Sequence, residues 1–396
     1  MKITSIDVFE LKPNVMGSVI CVRVNTDEGI SGFGEVGLSY GKAHYAGVGI
    51  ARDFGALLIG MNPRNTEEIW EHIFRTTFWG MGGGTVINAG ISAIDTALWD
   101  IKGKVLGVPV YDLLGGKTNK KIRTYASQLQ FDWGDEHKFL TEPEQYAEAT
   151  RKAMAEGYTA IKVDPIGVTA DGKWAREANN PDWKMRGKLS NKMVKIAYDR
   201  VAAMRATGGP DMDIIIELHS FTDTVTAVQL GRAIEDLNIY YYEEPVHPLN
   251  AVSMSEVHRS LNIPIASGER IYTRWGFREF LEMRAIQVIQ PDLCITGGIT
   301  ETKKICDMAN TYDASVQLHI CGGPIATAAS LQVEAVIPNF LIHELHEGAL
   351  KKDMRDLCVH DYMPVEGYYE VPDLPGIGQE LTEKAMAEAV NVYTIK

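Results

Sequence analysis

The chain has 396 residues, 45% of them apolar, and carries 39 Lys and Arg against 52 Asp and Glu, a formal net charge of −13. Its length suits two or three ordinary domains, although an α/β barrel alone takes about 250 residues. The acidic balance argues against a nucleic-acid or anionic-membrane partner, which need a basic surface. It leaves room for a small anionic substrate wherever a divalent cation reverses the local field.

Residues 1–10 lack the apolar core of a signal peptide, and no apolar run approaches the roughly 20 residues of a membrane span, so a cytoplasmic protein is expected. Residues 3–9 alternate, residues 19–24 form an apolar run, and residues 25–29 (NTDEG) carry turn chemistry. Gly32, Gly34 and Glu35 end the following strand, so the opening is antiparallel. Ile91, Ile94, Leu98 and Ile101 then recur at spacings of three and four, one apolar face of a helix that Gly107-Val108-Pro109 stops. Gly115-Gly116 marks a boundary before a strand over residues 121–127.

From there short β-rich runs alternate with helical stretches. The runs fall at residues 160–163, 214–216, 239–242, 263–266, 286–289, 316–318 and 340–342. Repeated βα units mean a parallel sheet. Glu217, Glu243, Glu269, Asp292, His319 and Glu344 stand at or just past the ends of six successive runs, separated by 26, 26, 23, 27 and 25 residues. An open sheet can share that period. A closed barrel gives ionisable residues at six strand ends a common purpose, because its active site is built from those ends. The period breaks once, over the 55 residues from Lys162 to Glu217, and residues 164–190 read as a long insertion after the second barrel strand, a mobile flap over the mouth. The division expected is residues 1–120, residues 121–350 as the barrel, and a segment over 351–396 that returns to the first domain. The five cysteines, Cys21, Cys294, Cys306, Cys321 and Cys358, are odd in number and lack a CxxC pair, which reads as buried reduced thiols.

Glu217, Glu243 and Glu269 end three consecutive strands. Three acids together repel unless a cation neutralises them, and oxygen-only ligation suits a hard ion such as Mg2+. His319 and Asp292 end adjacent strands, where a carboxylate behind an imidazole makes a general base. The CGGP following His319 signals a close backbone approach. His219 lies two after Glu217, on the same face if the strand continues, and can act as general acid on a leaving hydroxyl. Lys162 can offset the charge of a substrate carboxylate. Asp164 either tethers Lys162 or opens the insertion, and Glu344 can hydrogen-bond substrate. Arg270 and Trp275 are weaker candidates, the first as the partner of a nearby acid and the second as core.

GFGE (residues 32–35), SAIDTALWDIKGKVLGVPVYDLLGG (92–116), IKVD (161–164), IIELH (215–219), YYEEP (241–245), SGER (267–270), QPDL (290–293) and LHICGGP (318–324) together resemble the mandelate racemase subgroup of the enolase superfamily, over essentially the whole chain. The resemblance implies an α+β capping domain on a modified TIM barrel. It implies Mg2+ ligation by Glu217, Glu243 and Glu269, a His319–Asp292 dyad, Glu344 as a hydrogen-bonding acid, and capping loops near residues 12–17 and 78–84 that set substrate choice. It also implies a homo-oligomer, with an octamer as one form. Two positions depart from the pattern. Asp164 replaces the second lysine of Lys-x-Lys, which disfavours a two-base racemase, and Glu217 stands where the first ligand is most often Asp. A histidine two residues after that ligand is similar to galactonate and mannonate dehydratases. The resemblance therefore points to a sugar-acid dehydratase acting on an aldonate or aldarate. A cycloisomerase or epimerase on the same scaffold is the alternative, and a silent sugar-acid binder is a more remote one.

Overall fold

The computed structural model describes residues 1–176 and 187–396. Its first three strands, β1 (Ile3–Asn14), β2 (Gly17–Thr26) and β3 (Ser31–Val36), pair antiparallel. Successive side chains of a strand face opposite sides, and here both sides are apolar. Ile20, Val22 and Val24 enter a core shared with the capping helices, whereas Val19 and Cys21 enter the core of the barrel. The sheet is thus sandwiched between two hydrophobic cores.

The 22-residue helix Thr85–Leu106 lies directly on β3. Two glycines permit this closeness. A methyl group at position 34 would lie 1.8 Å from the Ala93 carbonyl oxygen, and one at position 32 would lie 2.1 Å from that of Ala97. The helix ends at Gly107, which takes the left-handed conformation (φ 68°) that glycine adopts without penalty.

The second sheet holds β4 (Lys121–Ser127), β5 (Ala160–Val163), β6 (Asp213–Glu217), β7 (Ile239–Glu243), β8 (Ile265–Ser267), β9 (Val288–Ile289), β10 (Ser315–Val316) and β11 (His343–His346), all parallel, in the order β10-β9-β8-β7-β6-β5-β4-β11. Within β6 the odd residue out, Ile215, joins Tyr125, Tyr241, Ala266, Val288 and Ile342 inside the curled sheet, while Ile214 and Ile216 pack outward. Burial on both faces explains why these strands read as continuous apolar runs. The connecting helices start on side-chain caps: Ser190 accepts from Met193 N–H, Asp223 from Thr226 and Asn250 from Ser253.

The last barrel strand differs from its expected place over residues 340–342. Residues 339–341 hydrogen-bond Val316 of β10, and only residues 343–346 pair with β4, so the eighth strand divides its length between its two neighbours. Glu344 consequently sits inside β11 rather than at its end. Beyond the barrel, β12 (Tyr368–Glu370) pairs antiparallel with the start of β4, and β13 (Asn391–Ile395) adds to the outer edge of β1. Of the long insertion, residues 177–186 lie outside the described residues. Its beginning packs into the protein through buried Ile166, Val168 and Ala175.

The contrast between two glycines tests the strand–helix contact. Gly34→Ala should lower unfolding free energy by about 1–3 kcal/mol, because a backbone carbonyl cannot swing aside. Gly49→Ala, in the helix His44–Ala56 with nothing within 4 Å of the added methyl, should be neutral or stabilising by up to about 1 kcal/mol. Urea unfolding of the two variants checks this; equal midpoints would contradict it.

Candidate active site

β6 and β7 run in register so that Glu217 lies opposite Glu243, and Glu269 follows two residues after β8. One carboxylate oxygen from each of the three falls within 4.8 Å of the other two. Glu217 and Glu243 are fully buried, and Oε2 of each has no hydrogen-bond partner. A buried carboxylate oxygen without a partner is destabilising unless something positive meets it. Oxygen donors of this number and spacing fit a hard divalent cation.

The protein's own cations do not balance these acids. Lys162, on β5 and 1% exposed, places Nζ 2.8 Å from Glu243, 2.7 Å from Glu344 and 3.5 Å from Glu217. Arg270 bridges Glu244 (2.8 Å) and Glu269 (2.9 Å), the pairing with a neighbouring acid foreseen for it. Burial pushes Glu217 up to about 7 despite Lys162, and pushes Glu244 up to about 8 with help from the charge of Glu269. Glu243 rises well above the usual range through burial and the charge of Glu217. Glu344 behaves oppositely: burial alone would raise it, but Lys162 and His319 hold it well below.

At the β8 end of this row stands His319, three residues past β10. Its Nδ1 lies 2.7 Å from Asp292 and its Nε2 3.2 Å from Glu269. A carboxylate only accepts, so Nδ1 carries a proton and Nε2 faces the acid trio. Burial would lower the imidazole, yet the charge of Glu269 and the bond to Asp292 hold it up at about 10. At the β6 end stands His219, with Nδ1 3.0 Å from Asp164 and 3.9 Å from Glu217. Asp164 in turn accepts from Arg176 (2.6 Å) and from Ile166 N–H; burial opposes its ionisation, but Arg176 and His219 hold its carboxyl below the usual range.

Several expectations for single residues need correction. β6 stops at Glu217, and both His219 (φ 50°) and Ser220 (φ 58°) are left-handed, so strand alternation does not aim His219. Glu217 accepting from His219 N–H, and Arg270 donating to its carbonyl at 3.0 Å, hold that backbone instead. Asp164 does not tether Lys162; its partners are His219 and Arg176. Lys162 points at three acids, which takes it away from the expected substrate carboxylate. Glu344 is buried, with Oε1 accepting from Ser127 and Lys162 and Oε2 from Ile320 N–H. Trp275 is half exposed and stacks on Phe74, so it is not core.

Reasoning from sequence missed Arg176, Glu244 and the role of Glu35. No spacing marks Arg176. Glu244 was visible as the second acid of YYEEP. Glu35 of the capping domain accepts from Gly323 and Ala326 N–H, and a methyl at Gly322 would lie 2.7 Å from its Oε1. This is the close approach that CGGP signalled. The capping loops also meet the barrel mouth: Met16 lies over Gly348, and Thr85, just past residues 78–84, donates to the Tyr272 hydroxyl at 2.6 Å.

Residues 11–115 match the mandelate racemase/muconate lactonizing enzyme N-terminal domain, and residues 145–385 the enolase C-terminal domain-like family. The chain is 32% identical to a D-galactonate dehydratase of Ralstonia nicotianae, over 98% of this chain and 94% of that one. It is 35% identical to a D-xylonate dehydratase of Haloferax volcanii, over 91% and 83% respectively. A solved member of the enolase superfamily from Salmonella Typhimurium superposes with a TM-score of 0.96 at 55% identity, covering both chains fully. The chain belongs to the mandelate racemase/muconate lactonizing enzyme family of the enolase superfamily, whose members typically bind a divalent metal.

Without divalent metal, stability should fall as pH rises from about 5 to about 8. Glu217, Glu243 and Glu244 have folded pKa values above their unfolded ones, so in that window the folded state holds more protons than the unfolded chain, and deprotonation works against folding. The raised His319 acts in the same direction above about pH 6.5, His346, lowered to about 4, opposes the three acids only below about pH 6.5, and the depressed acids act only at lower pH. A divalent cation that binds the trio, at about a hundred times its dissociation constant, should add about 2.7 kcal/mol and flatten the slope. Melting at pH 5, 6.5 and 8 with chelator or Mg2+ checks this; a metal-free Tm that climbs across the window would contradict it.

Proposed function

We propose that this family member is a Mg2+-dependent dehydratase of a sugar acid, removing the proton α to the carboxylate and eliminating the β-hydroxyl to give a 2-keto-3-deoxy acid. One observation carries the reading: two imidazole–carboxylate pairs, His319–Asp292 and His219–Asp164, stand at opposite ends of the row formed by Glu217, Glu243 and Glu269. A dehydration needs two such groups, one to take a proton from carbon and one to give a proton to departing oxygen. The dehydratase relatives, which are hydro-lyases acting by their names on galactonate and xylonate, support the same class of reaction.

Glu217, Glu243 and Glu269 would hold the ion, which when bound supplies positive charge for the substrate carboxylate as negative charge builds on it. His319 Nε2 takes the α-proton once the charge of Glu269 no longer holds the ring protonated. Asp292 keeps Nδ1–H in place and stabilises the imidazolium that forms. The electron pair left on the α-carbon passes into the carboxylate as an enediolate, then returns to form the C2–C3 double bond as the β C–O bond breaks. His219 protonates the departing hydroxyl, so water leaves. The enol then tautomerises to the 2-keto acid. Asp164, fixed by Arg176, orients His219 for this step. Lys162 contacts both Glu243 and Glu344, keeping Glu344 ionised and holding Glu243 in position.

Aldonates and aldarates are to be screened with Mg2+, reading 2-keto acid as its semicarbazone. At least one should give product, and His319→Asn should lower its rate by about a thousandfold or more. His219→Gln should lose dehydration by about a hundredfold or more while still exchanging the substrate α-proton in D2O, because the two histidines serve different steps. Exchange by wild type without 2-keto acid from any substrate would replace the dehydratase reading with an epimerase or cycloisomerase. Tight sugar-acid binding without exchange would indicate a silent binder.

A further inference from the structure

Past Glu344, β11 ends on a histidine that the reaction above does not use. In the parallel pairing of β11 with β4, Glu344 lies opposite Tyr125 and His346 opposite Ser127. Tyr125 belongs to the cluster inside the sheet, and Ser127 Oγ reaches Glu344, so this face of both strands is the inner one. His346, two residues after Glu344, shares that face at the mouth end of the strand.

The two nitrogens of His346 differ. Nδ1 accepts from Gly348 N–H at 3.0 Å, so the proton of the neutral ring is on Nε2. Burial keeps the ring neutral, lowering it to about 4. Nε2 has no hydrogen-bond partner among the described residues and is not one of the sealed-off polar atoms. Of the nearby acceptors, Glu344 is engaged by Lys162, Ser127 and Ile320, and Glu347 takes a hydrogen bond from His137 at Oε1 (2.6 Å) and an ion pair from Lys351 at Oε2 (3.1 Å). The turn that fixes the ring is itself held from above, since a methyl at Gly348 would strike Met16 Sδ of the β1–β2 hairpin at 2.5 Å. The result is a neutral donor of fixed tautomer, on a rigid strand end, in a mouth where Lys162 and Arg270 are committed to acids.

We infer that His346 is a specificity-determining residue whose Nε2–H donates to a hydroxyl oxygen of the bound sugar acid. The inference rests on the sugar-acid reading and names the part of the substrate this strand end recognises. A neutral donor suits a hydroxyl, and an anionic second carboxylate would meet Glu344 and Glu347 on either side, so an aldonate is favoured over an aldarate.

Two substitutions separate binding from structure. Asn at 346 retains an acceptor near Nδ1 for Gly348 N–H and lacks the outer donor. Gln retains a donor near Nε2 and lacks the inner acceptor. Calorimetry with Mg2+ and D-galactonate, D-gluconate or D-xylonate, each beside its monodeoxy analogues, gives Kd independently of turnover. H346N should melt like wild type yet bind the best aldonate about ten- to a hundredfold more weakly, and H346Q should recover most of that loss. For one deoxy analogue, wild type and H346N should bind equally. H346N binding every aldonate as tightly as wild type, or losing the same factor on every deoxy analogue, would overturn the inference while leaving dehydration intact. Wild type binding no aldonate at all would overturn the sugar-acid reading and this inference together.

Discussion

Lys162 reaches from the second barrel strand into the space between Glu217, Glu243 and Glu344, and the positions of the neighbouring groups follow from that contact. Carboxylates this close and this far from water repel strongly, since a low-dielectric surrounding strengthens every charge–charge term. One ammonium and the Arg270 guanidinium leave the cluster short of positive charge, and burial accordingly drives Glu217, Glu243 and Glu244 towards protonation. The two carboxylate oxygens without hydrogen bonds, Glu217 Oε2 and Glu243 Oε2, mark where that shortage is felt. An arrangement unfavourable by itself and relieved by a divalent cation is what a binding site for such an ion requires.

The outer parts of the site supply rigidity. Each imidazole is held through one nitrogen, His319 by Asp292 and His219 by Asp164, and each of those acids is fixed by further donors, Cys294 N–H for the first and Arg176 with Ile166 N–H for the second. The capping domain adds its own restraint through Glu35, which crosses to the start of the helix Pro324–Glu334 just beyond His319.

Much of this was legible in the residues. The period near 25 and the acids at successive strand ends revealed the barrel, because a parallel strand buried on both faces must be an apolar run and its polar successor must lie at the mouth. Glu217, Glu243 and Glu269 converge for that reason, and so do His319 and Asp292. Legibility fails where backbone leaves regular geometry. His219 could be picked out, but its aim depends on two left-handed residues and on an acid 55 positions away. Arg176 sits in an irregular loop where no spacing rule applies. Glu344 was placed at a strand end because an apolar run looks the same whether it pairs with one neighbour or, as here, is divided between two.

The place of β13 has a consequence for how the molecule is made. Residues 391–395 cover the outer edge of β1, yet they follow β1 in the chain only after the whole barrel, so β1 leaves the ribosome well before this partner. During that interval a twelve-residue strand presents open backbone donors and acceptors, a template for pairing with any other extended chain. Until residues 391–395 are made that edge stays open, and a nascent chain can mispair there.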